Sequence, residues 1–285
     1  MHSSPLAVAA GPRSHLYALG AIALWASLAS LGVSLAHVPP FLLTGIALLI
    51  GSVPAWPLWR QWRVPPLTLA LGVYGLFGFH FLLFLALRHA PAVEANLVNY
   101  LWPLLIVVLA PLLLPGLRLR AVHVLAALAG FAGAALAIVG GRELAGGWAW
   151  GYLAAAASAF VWATYSLWTR RVAHFPTAAI GLFGLVSGLL SLGCHLLLEP
   201  RVALSAPDWA LLVLMGLGPL GAAFYLWDKA LKTGDPRRIG ILSYLTPLAS
   251  TVLLVLVTGR SLTVWIVAAA ALIVGAAVVG LRARG

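Results

Sequence analysis

Charge is what this chain has least of: 8% of its 285 residues are Asp, Glu, Lys or Arg, where a soluble domain carries roughly 25%. Against that, 63% of residues are hydrophobic and the mean hydropathy is +1.05. A surface built from this composition could not be covered in water, so the bilayer is the solvent it fits. A single cysteine, Cys194, excludes an internal disulfide and any cysteine-built metal cluster. Inside an apolar run it reads as a small packed hydrophobe. Six carboxylates are too few for an acidic ion relay plus a metal site, and no cofactor is expected. The formal charge of +11 would suggest nucleic acid in a soluble protein. Here the basic residues lie in short gaps between apolar runs, which makes lipid the partner and excludes nucleic acid. The sequence contains no HExxH, no paired carboxylates and no Ser/His/Asp set at one depth, so an intramembrane enzyme is not expected. Without a ring of charge or a repeated filter sequence, a channel is not expected either.

What is present is a series of long apolar runs. A hydrocarbon core of about 30 Å needs about 20 apolar helical residues. Ten runs qualify, at about 14–35, 39–59, 67–87, 92–115, 121–140, 148–168, 177–198, 207–228, 237–258 and 262–281. Backbone groups in lipid must be satisfied internally, so runs of this length predict helices. Ser34-Leu35-Ala36 resembles a signal cleavage site, but the apolar region before it is too long, and the first run is expected to stay as a helix. With the N-terminus inside, thirteen Lys and Arg fall on the cytoplasmic side, against Arg88, Arg142, Arg201 and Arg260 on the other. That bias predicts cytoplasmic termini.

The chain also repeats itself. LWAS at 24–27 recurs as VWAT at 161–164, and His37-Val38-Pro39 as His174-Phe175-Pro176, both at an offset of 137. NYLWP at 99–103 recurs as SYLTP at 243–247, and Ala86-Leu87-Arg88 as Ala230-Leu231-Lys232, both at 144. Five helices per copy means that the second copy enters the membrane from the opposite face. The expected fold is therefore an all-α polytopic membrane protein of ten transmembrane helices in two inverted five-helix repeats, residues 1–140 and 141–285. In that architecture substrate is held near the midplane and access alternates between the two faces.

The polar stretch VEANLVNYLWPLL at 93–105 bears on what is held there. Tyr100 lies about eight residues into its helix, or ~12 Å at 1.5 Å per residue, and Tyr244 sits at matched depth from the other side. Asn99 and Ser243 are polar at that depth and need partners. Pro103 and Pro247 each free a carbonyl and bend their helices. As single occurrences they would be packing kinks; paired in inverted register they are expected to be gates. His80 aligns with Phe224, placed in the gating set, and Trp25 with Trp162, with Tyr165 on the same helix face. His80 carries two readings, a proton-sensitive hydrogen bonder and a neutral ring tied to a nearby carbonyl. Gly216, Gly218 and Gly221 spell G-x-G-x-x-G, but with no preceding strand and Pro219 within it the spacing denotes close helix packing, not dinucleotide binding. Gly130, Gly133, Ala134, Gly275 and Ala276 are expected on packing faces.

VEANLVNYLWP, the Trp162–Tyr165 region and SYLTP together resemble the bacterial aromatic amino acid exporters of the ten-helix drug/metabolite transporter superfamily. The likeness runs along nearly the whole chain, and NYLWP after an acidic residue is its most specific part. It implies efflux of amino acids through a central cavity in the bacterial cytoplasmic membrane. The substrate-binding set is then expected to be His80, Asn99, Tyr100, Trp102, Trp162, Tyr165, Ser243 and Tyr244, in a monomer with an amino acid substrate. The residues agree: Trp, Tyr and Phe with Asn, Ser and His, and no acid at that depth, suit a neutral or zwitterionic substrate. The competing reading is efflux of cationic aromatic drugs or other small metabolites, held by cation–π attraction. It wants a carboxylate, and only Glu94 is near; that residue is also where a helix N-terminus favours an acid.

Overall fold

The computed structural model describes residues 12–283 apart from 141, 142, 145 and 259–262. Arg142, Arg260 and Arg284 of the charge bias lie outside the described residues. The described residues contain helices and no strand. The helices are α1 (Pro12–Ala26), α2 (Leu28–Ser34), α3 (Pro40–Ser52), α4 (Pro66–Val73), α5 (Phe79–His89), α6 (Ala92–Asn99), α7 (Trp102–Leu113) and α8 (Ala121–Val139). They continue with α9 (Gly151–Trp168), α10 (Ala179–Leu198), α11 (Ala206–Leu217), α12 (Ala223–Thr233), α13 (Pro236–Leu242), α14 (Leu245–Thr258) and α15 (Val264–Arg282). A 3₁₀ stretch, Val53–Trp62, prolongs α3, and π-helical segments at Tyr74–Gly78 and Gly218–Ala222 join α4 to α5 and α11 to α12.

Among the described residues eight helical stretches are long and apolar enough to cross a membrane: Arg13–Ser34, Pro40–Trp62, Pro66–His89, Ala92–Leu113, Ala121–Val139, Ala179–Leu198, Ala206–Thr233 and Val264–Arg282. The chain is a multi-pass membrane protein. α9 is less apolar because it is mostly buried, and its polar groups find protein partners. Ser158 donates to Asn99 Oδ1 at 2.8 Å, Thr164 pairs with the Tyr74 hydroxyl at 2.8 Å, and Ser166 accepts from Trp227 Nε1 at 3.1 Å. α3 packs along α10 and α8 along α15, while α5 lies on α9 and α12 on α1.

Interruptions follow local chemistry. A proline ring collides with the carbonyl four residues back, which for Pro103 is that of Asn99, and the helix breaks between Asn99 and Trp102. Pro247 and Ser243 repeat the arrangement, with the break between Leu242 and Leu245. The break at Ser27, absent from the sequence reading, arises where its hydroxyl bonds the Leu24 carbonyl at 2.7 Å. The eighth apolar run, expected to end at about 228, continues as helix to Thr233. Lys232 reaches back one turn to Asp228 at 2.7 Å and is neutralised there.

Several glycines mark close approach. A Cβ on Gly221 would collide with the Gly216 carbonyl, and one on Gly75 or Gly130 would enter the ring of Tyr165 or Tyr244. Gly275, expected on a packing face, instead has open space around its Cβ position. Cys194 is half-buried with a free thiol. Gly75→Ala is therefore expected to lower stability by about 1–3 kcal/mol through overpacking, while Gly275→Ala leaves it within about 0.5 kcal/mol. Thermal unfolding in detergent checks the pair, and equal melting temperatures would refute the packing account.

Candidate functional site

One cavity of about 290 Å³ lies where α1, α3, α5, α6, α9 and α12 converge with the starts of α7 and α14. His80, Asn99, Tyr100, Trp102, Trp162 and Phe224 line it together with Trp25, Thr44, Asn96 and Thr246. No Asp, Glu, Lys or Arg is among these lining residues. The wall is chiefly aromatic. Trp25 meets Trp162 at 5.8 Å and Trp102 at 6.4 Å between ring centroids, and Trp102 meets Trp162 at 6.4 Å, all edge to face. That geometry aims positive ring edges at negative faces. Trp227, behind the wall and 1% exposed, contacts Trp25 at 5.2 Å and Trp102 at 5.6 Å. Its packing closes the cavity on that side.

Hydrogen bonds hold these rings in place. Trp25 Nε1 donates to the Pro219 carbonyl at 3.1 Å, so the π segment Gly218–Ala222 anchors an indole of α1. His80 is held through Nδ1, 2.6 Å from the Leu76 carbonyl of the other π segment. This is the tied ring of the second sequence reading, and because a carbonyl only accepts, Nδ1 carries the hydrogen. Phe224 contacts His80 at 6.3 Å and Trp162 at 5.7 Å.

The other expected site residues lie outside the cavity lining. Tyr165 is 3% exposed, lies tilted against Trp162 at 5.3 Å and packs over Gly75, behind the wall. Ser243 is fully buried and donates to the Gly240 carbonyl at 2.6 Å. Tyr244 packs against Gly130 and Phe131 of α8. Pro103 and Pro247 are buried in the first turns of α7 and α14. Glu94 stands in the first turn of α6. Sequence reasoning missed Asn96 and Trp227, each three residues from a noted position (Asn99, Phe224), the spacing that shares a helix face. A second groove, of about 520 Å³, runs between the 3₁₀ stretch and α12 past exposed Leu58, Leu217 and Lys229. It lacks such a wall.

Two charged networks tie helix ends. The Glu199 carboxylate, its side chain fully buried, accepts from the backbone N–H of Phe41 at 3.0 Å and Leu42 at 3.2 Å at the start of α3. It also pairs with Arg88 at 3.2 Å and His195 at 3.1 Å. Asp228, 2% exposed, accepts from Lys232 at 2.7 Å and from the Thr177 hydroxyl at 2.6 Å just before α10, and Lys232 also donates to the Phe175 carbonyl at 2.8 Å.

A bundle of apolar helices closing on an uncharged aromatic cavity defines a membrane transporter, and sequence comparison agrees. The EamA-like transporter family matches this chain twice, over residues 12–139 and 149–281, and the chain belongs to that family. It is 43% identical to the aromatic amino acid exporter YddG of Ancylobacter novellus, over 93% of this chain and 96% of that protein. The YddG exporters of Salmonella typhimurium and Escherichia coli are 31% and 30% identical over 62% and 59% of this chain, and over the same shares of theirs. A solved crystal structure that is 43% identical covers 94% of this chain and 96% of its own, with a TM-score of 0.87. The protein is a transporter and not an enzyme.

Proposed function

We propose that this protein exports neutral amino acids, chiefly aromatic ones, across the bacterial cytoplasmic membrane by alternating access through the tryptophan-walled cavity. The observation that carries the reading is the wall itself: Trp25, Trp102 and Trp162 give an apolar side chain three ring faces and edges, and the polar lining groups are uncharged. A cationic drug would want a carboxylate, and the lining supplies none. The likeness to YddG exporters supports the same substrate class. His80, Asn99, Tyr100, Trp102 and Trp162 bind substrate. Tyr165 supports that wall from behind, Ser243 and Tyr244 pack away from it, and Phe224 gates between His80 and Trp162.

In this reading α9 and the α13–α14 pair complete ten crossings, both termini are cytoplasmic, and residues 1–140 and 141–285 are inverted repeats in a monomer bathed by lipid. Several independent regularities support it. The family matches twice, and the π segments Tyr74–Gly78 and Gly218–Ala222 recur at the 144-residue offset of the sequence repeat. Residues related by a twofold axis touch only beside that axis. Trp25 and Trp162 touch, as do His80 and Phe224, which supports an axis through the cavity. Arg88 and Lys232 are also repeat mates, each paired with a carboxylate that accepts a hydrogen bond from the start of α3 or from Thr177 just before α10. Matched ties at opposite ends of the bundle suit a protein with two equivalent packings.

Counterflow in liposomes carrying the purified protein, with a panel of labelled amino acids, tests the function. Exchange of phenylalanine or tryptophan well above that of glutamate or lysine is expected, and no exchange of any of them refutes it. The broken helices have a role here, because a helix that has lost its ladder bond at proline swings without breaking another. Pro247→Ala is expected to shift the labelling of single cysteines introduced at the two ends of the cavity, in a Cys194→Ser background, toward one end. Unchanged labelling in Pro247→Ala and Pro103→Ala, with wild-type exchange rates, would reduce both prolines to packing kinks.

A further inference from the structure

Thr246 is one of several buried helical hydroxyls without a hydrogen-bond partner, with Ser30, Thr68, Ser187 and Ser191, and the one among them that lines the cavity. A threonine or serine in a helix ordinarily donates to the carbonyl three or four residues back. Thr164 does so to Phe160 at 2.7 Å, Thr233 to Lys229 at 2.7 Å and Ser243 to Gly240 at 2.6 Å. Thr246 does not. The Ser243 carbonyl three residues back instead accepts the Thr246 backbone N–H at 3.0 Å, at the break before α14. Thr246 is a lining residue of the cavity and 6% exposed, and its Oγ1 is buried at the edge of the wall without a hydrogen-bond partner. Its repeat mate is Trp102, so the wall that carries three tryptophans has a small hydroxyl where a fourth would stand. A buried donor without an acceptor costs free energy until one arrives.

The opposite polarity is on α5. His80 uses Nδ1–H on the Leu76 carbonyl, so in the neutral ring Nε2 has a lone pair and no hydrogen. The lining thus offers a free donor at Thr246 and an acceptor at His80, with the indoles of Trp25, Trp102 and Trp162 completing the wall. We propose that Thr246 is a specificity-determining residue whose hydroxyl donates to the carboxylate of an amino acid substrate, while His80 Nε2 accepts from its ammonium group. The aromatic side chain then lies on the tryptophans. This assignment rests on the amino acid reading of the cavity and says which end of the substrate meets which wall.

The test is binding to the purified full-length protein in detergent of L-phenylalanine, phenethylamine, which lacks the carboxylate, and 3-phenylpropionate, which lacks the ammonium. Thr246→Val keeps the shape and removes the donor; Thr246→Ser restores a hydroxyl. Thr246→Val is expected to weaken phenylalanine and 3-phenylpropionate by about tenfold, the worth of one hydrogen bond to a charged group, and phenethylamine by less than twofold. Thr246→Ser should recover most of the loss. Wild-type affinity for phenylalanine in Thr246→Val, or an equal loss for all three ligands, overturns the assignment while leaving the transport reading intact. A wild-type protein that binds none of the three overturns the amino acid reading, and the assignment with it.

Discussion

Trp162→Ala is expected to reduce phenylalanine counterflow at least tenfold and to lower the melting temperature of the purified protein. Trp162 is the hub of the aromatic cluster: besides Trp25 and Trp102 it contacts Phe79 at 5.3 Å, Tyr165 at 5.3 Å and Phe224 at 5.7 Å. Each aromatic pair is worth about 0.5–1.5 kcal/mol beyond area burial, and truncating a buried tryptophan to alanine costs about 3–5 kcal/mol. The substitution thus removes substrate surface and core packing together. Trp162→Phe separates the two, because it keeps a ring in contact with Trp25 and Tyr165. It should fold with a smaller loss of stability and transport more slowly than wild type. Counterflow and thermal unfolding on the same preparations check this, and Trp162→Ala protein with wild-type exchange would remove Trp162 from the site.

Glu199→Ala is the second large effect, and it acts on stability away from the cavity. One buried carboxylate accepts from two free N–H groups at the start of α3, from His195 and from Arg88. Removing it orphans two backbone donors at once and separates the end of α10 from α3 and α5. Breaking a buried charged network from one side costs about 3–5 kcal/mol. Arg88 contributes little of this, since its side chain is 40% exposed and screened, and exposed pairs are worth about 0–1 kcal/mol. Arg88→Ala should therefore cost about 1 kcal/mol or less. Chemical or thermal unfolding in detergent distinguishes the two, and similar small losses for both variants would show that helix capping by Glu199 contributes nothing measurable.

Much of the architecture was legible in the chain. Low charge and long apolar runs determine a membrane protein of helices, because only helices and closed barrels satisfy the backbone in lipid, and barrel strands are about half as long and alternate. The pairs Asn99–Pro103 and Ser243–Pro247 announced where helices break, since a proline in the middle of an apolar run removes a ladder bond there. Part of the candidate site was legible too. His80, Asn99, Tyr100, Trp102 and Trp162 share the cavity because depth along a helix is counted from sequence, and equal depth is a condition for meeting.

Which way each side chain faces was left to tertiary structure. Tyr100 and Tyr244 hold the same place in the repeated motif, yet Tyr100 lines the cavity while Tyr244 packs on Gly130, where the neighbouring helix leaves room for its ring. Whether a residue faces cavity, neighbour or lipid depends on helix rotation, and rotation is set by the glycines and bulky rings of other segments. The π segments are of that kind, fitted so that Pro219 meets Trp25 and Leu76 meets His80. So is the Glu199 network, joining groups as far as 158 residues apart in sequence. The sequence by itself determined that this chain lies in a membrane and that its helices break before Pro103 and Pro247, because local hydrogen bonding and solvent set those. Packing between helices decided which polar and aromatic groups share a cavity and left Thr246 at its edge without a partner, because only contact between distant segments turns a side chain toward one neighbour instead of another.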